Sequence, residues 1–119
     1  MDLLLGGAYQ GKLEHARNTF AVSDEDVCTC AWDAEPDWSK RCLEHLERYV
    51  MYCVKNGLTP ERKYRPDAVL LCDDIFCGIV PMDPVDRAWR EETGRYLSRL
   101  SADAESVTRL FCSLPMKLK

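Results

Sequence analysis

The 119-residue sequence predicts an α/β protein, a three-layer sandwich with a mostly parallel sheet. Three observations support this class. Strand and helix patterns alternate in a β-α-β-α-β-α-β order, which is typical of parallel strands joined by crossover helices. Residues 68–72 form a continuous apolar run, as in a strand that is covered on both faces. Residues 2–5 form a second apolar run, which a glycine-rich turn and a helical pattern follow. The length favours a single domain, residues 1–119.

The strands are predicted from short apolar runs that turn residues bound. Residues 2–5 are the first strand, and residues 27–32 are the second, after an acidic turn. Residues 68–72 are the third, and residues 106–113 are the last. We expect the first and third strands to lie side by side or one place apart, because both are apolar enough for the middle of a sheet.

Three helices are predicted between these strands, each from apolar residues at helical spacing. The first spans residues 11–20. The second begins at residue 37 or 39 and ends near residue 55, before the stop signal Asn56-Gly57. The third spans residues 83–100, with Asp83 as the N-cap and Pro84 in the first turn.

Composition limits the classes of partner. The net charge of −4 is not typical of a nucleic-acid-binding protein. The longest apolar runs have about five residues, whereas a membrane helix needs roughly 20. Met1 directly precedes the first predicted strand, which leaves no room for a signal peptide. We therefore expect a cytoplasmic protein that binds neither nucleic acid nor membranes.

Seven cysteines are many for this length, and they lie mostly in apolar segments. Cys42 and Cys53 fall on the predicted second helix, which favours reduced core thiols. The only close pair, Cys28 and Cys30, lacks the second pair that a zinc site of this kind requires. A redox or metal protein built on the cysteines remains an alternative.

The turn at residues 6–12 matches most of a phosphate-binding loop. It reads G-G-A-Y-Q-G-K and fits the pattern G-x-x-x-x-G-K, between a strand and a helix. Its backbone N–H groups, around Gly6, Gly7 and Gly11, and the ammonium of Lys12 would bind phosphate. The next position calls for the Ser or Thr hydroxyl that binds Mg²⁺, and this chain has Leu13. The alternative is an ordinary glycine-rich turn.

Asp73 and Asp74 form the second candidate site, because they end the apolar run at 68–72. The carboxyl ends of parallel strands meet at one edge of a sheet, so these carboxylates are expected to face the same crevice as Lys12. A carboxylate in this position can bind the Mg²⁺ of a bound nucleotide. We take Asp73 and Asp74 as metal ligands, and Lys12 and Asp74 as catalytic residues.

Other charged residues have simpler interpretations. His15 and His45 are the only histidines and fall off the apolar faces of their helices, which indicates surface positions. Arg95 and Arg99 are expected to form ion pairs on a solvated helix face, for example Arg95 with Glu91. The sequence leaves a phosphate-binding role open for two other arginines of that helix, Arg87 and Arg90.

Three blocks of the chain, covering about half of it, resemble one known family. Residues 6–12 resemble G-G-A-R-S-G-K, and residues 72–81 (C-D-D-I-F-C-G-I-V-P) resemble S-N-E-V-G-x-G-I-V-P, continuing through R-A-W-R-E and G-R at 87–95. Residues 114–119 resemble a closing G-I-P-x-x-L-K. This is the adenosylcobinamide kinase/adenosylcobinamide-phosphate guanylyltransferase family.

The resemblance implies a P-loop NTPase-like fold and a role in cobalamin biosynthesis. Members of the family phosphorylate adenosylcobinamide, attach GMP from GTP through a guanylylated histidine, and are usually homo-oligomers. For this chain it implies GTP or ATP as cofactor, with weak Mg²⁺ binding at most. It also implies a corrinoid as candidate partner and a homo-oligomeric state.

The chain departs from the family pattern at Leu13 and in its middle. The stretch E-P-D-W at 35–38 faintly resembles the family's R-P-x-x-W, but no histidine after His15 precedes it. His45 does not match the acceptor motif, and the family's central metal-binding strand has no convincing counterpart. The sequence therefore predicts a nucleotide-binding, degenerate relative without the guanylyl step. The alternative is a non-catalytic, protein-binding or regulatory module that keeps the fold.

Overall fold

The computed structural model describes residues 1–75 and 83–119. The family-like block at 72–81 and Cys77 therefore lie partly or wholly outside the described residues. Six strands and three helices follow one another along this part of the chain: β1 (Asp2–Gly6), α1 (Lys12–Phe20), β2 (Val27–Thr29), β3 (Cys42–Glu44), α2 (Leu46–Lys55), β4 (Val69–Asp73), α3 (Pro84–Asp103), β5 (Ser106–Phe111) and β6 (Leu114–Lys117).

The six strands form one sheet in the order β2-β3-β4-β1-β5-β6. All neighbours are parallel except β5 and β6, which are antiparallel. β1 pairs with β4 from Asp2–Val69 to Gly6–Asp73, so the predicted neighbourhood of these two strands is confirmed. The α/β class and the mostly parallel sheet are confirmed with it.

The helices cover both faces of the sheet, which gives three layers. α1 packs on one face through Ala16, against a cluster that includes Leu4 and Leu71. α2 and α3 pack on the other face, where Tyr49 and Tyr96 belong to a larger cluster. The central strands contribute apolar residues to both clusters, as their continuous apolar runs require.

The prediction for residues 37–55 was wrong in its first half. Residues 42–44 form strand β3, and the helix begins only at Leu46. Cys42 packs on the α1 side of the sheet and Leu43 on the α2 side, so both are buried by a strand rather than by a helix. The sequence was ambiguous here, because two adjacent apolar residues fit a strand that is buried on both faces as well as the wide apolar face of a helix.

The C-terminal hairpin was also missed. The strand predicted at 106–113 ends at Phe111, and β6 returns beside it after two residues, Cys112 and Ser113. Both have positive φ, 51° and 64°, as a two-residue hairpin turn of the primed type requires. Neither residue type signals such a turn, because glycine and asparagine are its usual occupants.

Other boundaries agree more closely. The Asp83 carboxylate accepts a hydrogen bond from the Val85 N–H at 2.8 Å, which confirms the predicted N-cap, and α3 continues to Asp103. β2 is shorter than predicted and ends at Thr29. Within the described residues, no helix has both the length and the apolar character to cross a membrane.

Candidate functional site

The connections between strands reverse direction at the centre of the sheet, between β1 and β4. The chain leaves β1 through α1 towards β2 at one edge, and it leaves β4 through α3 towards β5 on the other side of β1. A crevice opens at the carboxyl ends of strands that diverge in this way, and ligands of open α/β sheets bind there. A cavity of about 430 Å³ lies at this point, lined by residues 8–14 after β1, by the junction of β3 and α2, and by Asp73.

The glycines of the loop allow it to pack against the C-terminal hairpin. A Cβ on Gly6 would lie 2.6 Å from the Leu110 carbonyl oxygen, and one on Gly11 would lie 2.8 Å from the Ser113 hydroxyl. Gly11 also has a φ of +87°, which favours glycine. The Ser113 N–H donates a hydrogen bond to the Gln10 carbonyl at 3.1 Å. The C-terminal hairpin therefore packs against the loop and helps to hold its conformation.

Lys12 begins α1 and is buried, with 8% of its surface exposed. Its ammonium donates to the carbonyl oxygens of Gly6 at 3.1 Å and Gly7 at 2.7 Å, and it forms an ion pair with Asp73 at 2.8 Å. An ammonium has three protons, so these three acceptors satisfy it. A phosphate would have to replace one or more of them.

The two predicted carboxylates have different neighbours. Asp73 lies beside Lys12, as the sequence predicts for a carboxylate of the crevice. Asp74 lies at the same edge of the sheet, where its N–H donates to the Gly6 carbonyl at 2.7 Å, but its carboxylate pairs with Arg109 of β5 at 3.4 Å. The roles assigned to Asp74 stay predictions, and the carboxylate in contact with Lys12 is Asp73.

The predicted Mg²⁺ site keeps one carboxylate in the cavity, Asp73, but lacks the hydroxyl of the phosphate-loop pattern. Leu13 lines the cavity, where the phosphate-loop pattern calls for a hydroxyl. Mg²⁺ prefers oxygen ligands and retains several waters, and an isobutyl side chain offers neither a ligand nor a hydrogen bond to those waters.

His45 is a functional candidate that the sequence interpretation missed. It lies between β3 and α2 with a φ of 58°, not on a helix surface. Its Nδ1 is 3.2 Å from a carboxylate oxygen of Glu47 and 3.5 Å from one of Asp73. Glu47 is 3% exposed, and its other oxygen accepts the Asp73 N–H at 2.9 Å. Had β3 been recognised in the sequence, His45 would have been placed directly after its last residue, at the edge of the sheet where the carboxyl ends of the strands meet.

Arg48 is a second cation of the cavity, and sequence reasoning did not single it out. Its guanidinium lies 5.4 Å from the ring centroid of Trp32, a cation–π contact. Its Nε is buried and has no hydrogen-bond partner among the described residues. It also lies in the first turn of α2, where the helix dipole disfavours a positive charge. An anion in the cavity would offset the unfavourable interaction of this charge with the helix dipole.

The other predicted residues lie away from this arrangement. Arg95 pairs with Glu91 at 2.7 Å and Arg99 with Glu92 at 3.5 Å, which confirms the expected ion pairs. His15 lies on α1 near Thr19, outside the residues that line the cavity. The structure assigns no phosphate contact to Arg87 or Arg90, and that role stays open.

The cysteines of the described residues are free thiols. Burial raises the pKa of the Cys30 thiol to about 12 and that of Cys42 to about 12, and it also raises the pKa of Cys72 well above its usual value. Such thiols are poor nucleophiles and poor metal ligands near neutral pH. The one cluster of three metal-ligating side chains in residues 1–75 and 83–119 contains no cysteine.

Comparison of the sequence with protein-family models and with curated proteins gave no match.

Proposed function

We propose that this chain binds the phosphates of GTP or ATP in the cavity between the carboxyl ends of β1 and β4. It would be a shortened, P-loop NTPase-like relative of the adenosylcobinamide kinase/guanylyltransferase family, with weak or lost kinase activity and no guanylyl step. One observation carries the proposal. Lys12 follows a glycine-rich turn, pairs with Asp73 and lies between the carboxyl ends of β1 and β4, where the strand connections reverse direction.

The chemistry of the cavity suits an anion. The first turn of α1 leaves backbone N–H groups without helical partners, and the helix dipole there favours negative charge. Lys12 would exchange glycine carbonyls for phosphate oxygens, which are stronger acceptors for an ammonium. Arg48 would supply a second contact through its guanidinium.

We expect weak catalysis because residue 13 lacks the hydroxyl that binds Mg²⁺ in a phosphate loop. Phosphoryl transfer relies on a metal that bridges phosphate oxygens and neutralises developing charge, and Leu13 offers no ligand for it. If transfer persists, adenosylcobinamide would be the acceptor that the family resemblance indicates. Corrinoid binding and a homo-oligomeric state belong to the same proposal.

Calorimetric titration with GTP and with ATP, each with and without Mg²⁺, tests the proposal. We expect one site per chain for at least one nucleotide, with an affinity that changes little on adding Mg²⁺. No binding of either nucleotide would refute the proposed function. Steep Mg²⁺-dependent turnover would refute the degenerate site.

Leu13→Ser should introduce Mg²⁺ dependence. The hydroxyl restores a metal ligand, so nucleotide affinity in Mg²⁺ should exceed that without it by about tenfold, the magnitude of one contact to a charged group. The matched control is Leu13→Ala, which removes the apolar side chain without adding a ligand. An equal response of both variants would mean that removing bulk, not adding a hydroxyl, admits the metal.

No covalent GMP adduct should form. The chain lacks a histidine in the family's acceptor position before residues 35–38, and the Nδ1 of His45 contacts two carboxylates. Mass analysis of the intact protein after incubation with GTP should therefore show an unchanged mass. An acid-labile adduct on His15 or His45 would show that the guanylyl step survives.

A non-catalytic protein-binding module is the second candidate. Exposed apolar side chains at the β6 edge of the sheet favour it. Four large apolar side chains of the C-terminal hairpin and the residues after it are 55–70% exposed: Phe111, Leu114, Met116 and Leu118. The loop's own carbonyls and Asp73 also engage Lys12 fully. If neither nucleotide binds in the titration, this candidate replaces the first.

A further inference from the structure

A cluster of three metal-ligating side chains lies beside the phosphate-loop lysine. His45, Glu47 and Asp73 each present one ligand atom, and these atoms lie within 4.8 Å of one another. They come from the β3–α2 junction, the first turn of α2 and the end of β4. We propose that His45, Glu47 and Asp73 bind a divalent first-row transition-metal ion, with Zn²⁺ as the representative. The proposal goes beyond nucleotide binding and does not require it.

The two distances from His45 fit such an ion, and the two carboxylate ligand atoms lie within 4.8 Å of each other. Around a tetrahedral Zn²⁺ with bonds of about 2.0–2.1 Å, neighbouring ligand atoms lie about 3.3–3.4 Å apart. The Nδ1 of His45 lies 3.2 Å from Glu47 and 3.5 Å from Asp73. One Nδ1 carries at most one proton, which cannot fully serve two carboxylates. An ion between the three groups would satisfy all of them.

The surrounding contacts orient two of the ligands. The Asp73 N–H holds one Glu47 oxygen at 2.9 Å, which leaves the other oxygen for the cluster. Lys12 pairs with the Asp73 oxygen Oδ1, whereas Oδ2 faces His45. The Trp89 indole N–H donates to the Glu47 carbonyl at 2.8 Å and anchors the first turn of α2. Such supporting contacts commonly strengthen metal binding.

The donor set favours a transition metal over Mg²⁺. An imidazole nitrogen is a good ligand for Zn²⁺, while Mg²⁺ prefers an all-oxygen, octahedral shell. The carboxylates of Glu47 and Asp73 attract a divalent ion, and Lys12, which pairs with the other Asp73 oxygen, offsets part of their charge. His45 and Asp73 line the cavity, so a fourth ligand, water or a phosphate oxygen, can reach the ion.

Zinc titration of the nucleotide-free, reduced protein tests the proposal. We expect one Zn²⁺ per chain by calorimetry, and His45→Asn should weaken this binding by about a hundredfold. Asparagine tolerates the positive φ of residue 45 better than most residues, so the variant removes the imidazole with little strain. His15→Asn, at the other histidine, is the matched control and should bind like the wild type.

Substitution by Co²⁺ separates this site from the cysteines. Nitrogen and oxygen ligands give no thiolate-to-metal charge-transfer band, so such a band would overturn the assignment. Wild-type protein that binds no zinc, or His45→Asn with wild-type affinity, would overturn it as well. If His45→Asn fails to fold, Glu47→Gln is used in the same titration, with the same expected loss. Because no nucleotide is present in this titration, failure to bind zinc would refute the metal site alone. The nucleotide site is tested separately by the titration with GTP and ATP.

Discussion

Lys12→Ala should weaken nucleotide binding by about tenfold to a hundredfold. The substitution removes a charge-assisted contact to phosphate of about 1.5–3 kcal/mol. The backbone N–H groups of the loop remain, so residual binding is expected. Calorimetric titration with the nucleotide that binds the wild type measures the change.

Two controls make this result interpretable. Lys63→Ala removes a lysine that pairs with Glu61 at the surface, outside the residues that line the cavity, and should not change affinity. Lys12→Met keeps most of the buried aliphatic stem but not the charge, and it should lose as much affinity as Lys12→Ala. Unchanged affinity in both Lys12 variants would mean that the loop contributes no lysine contact to the ligand.

Gly6→Ala should lower the free energy of unfolding by about 1–3 kcal/mol, the usual cost of overpacking. The added Cβ would lie 2.6 Å from the Leu110 carbonyl oxygen, a backbone atom of the neighbouring strand. Relief requires β1 and β5 to separate at Gly6–Leu110, where the loop begins. Denaturant unfolding measures the loss of stability, and nucleotide titration measures any accompanying loss of affinity.

Gly7→Ala is the matched control for this prediction. Its Cβ would meet only the Gln10 side chain, at an ordinary contact distance of 3.6 Å. Both variants equally restrict the unfolded chain, which stabilises the folded state by about 0.4–1 kcal/mol where no clash occurs. Gly7→Ala should therefore be neutral or slightly stabilising. Equal destabilisation by both variants would refute a specific clash with β5.

Local sequence patterns predicted much of the framework. The continuous apolar runs of β1 and β4 predicted that these strands lie side by side or one place apart in the middle of the sheet, because a strand without a polar face must be covered on both sides, and they are adjacent. Asp83 and Pro84 predicted the start of α3, because capping depends on two or three consecutive residues. The glycine-rich turn between β1 and α1 was predicted for the same reason, because its residues are contiguous in the chain.

The candidate site depended on tertiary structure. β3 has only three residues, too few for a periodic signal, so the sequence placed its residues in a helix and His45 on the surface. Pairing with β4 brings His45 and Glu47 to Asp73, 26 residues beyond Glu47. Long-range pairing of this kind leaves no mark in local spacing.

The choice between the two acidic residues also depended on pairing. Successive side chains of a strand point to opposite faces, so a shift of one residue in register would exchange their roles. The sequence determined that two carboxylates follow an apolar strand at the edge that carries the glycine-rich turn and Lys12. The register of β4 against β1 decided that Asp73 meets Lys12 while Asp74 meets Arg109. Register is a property of the folded sheet, because it follows from how both faces of each strand are buried.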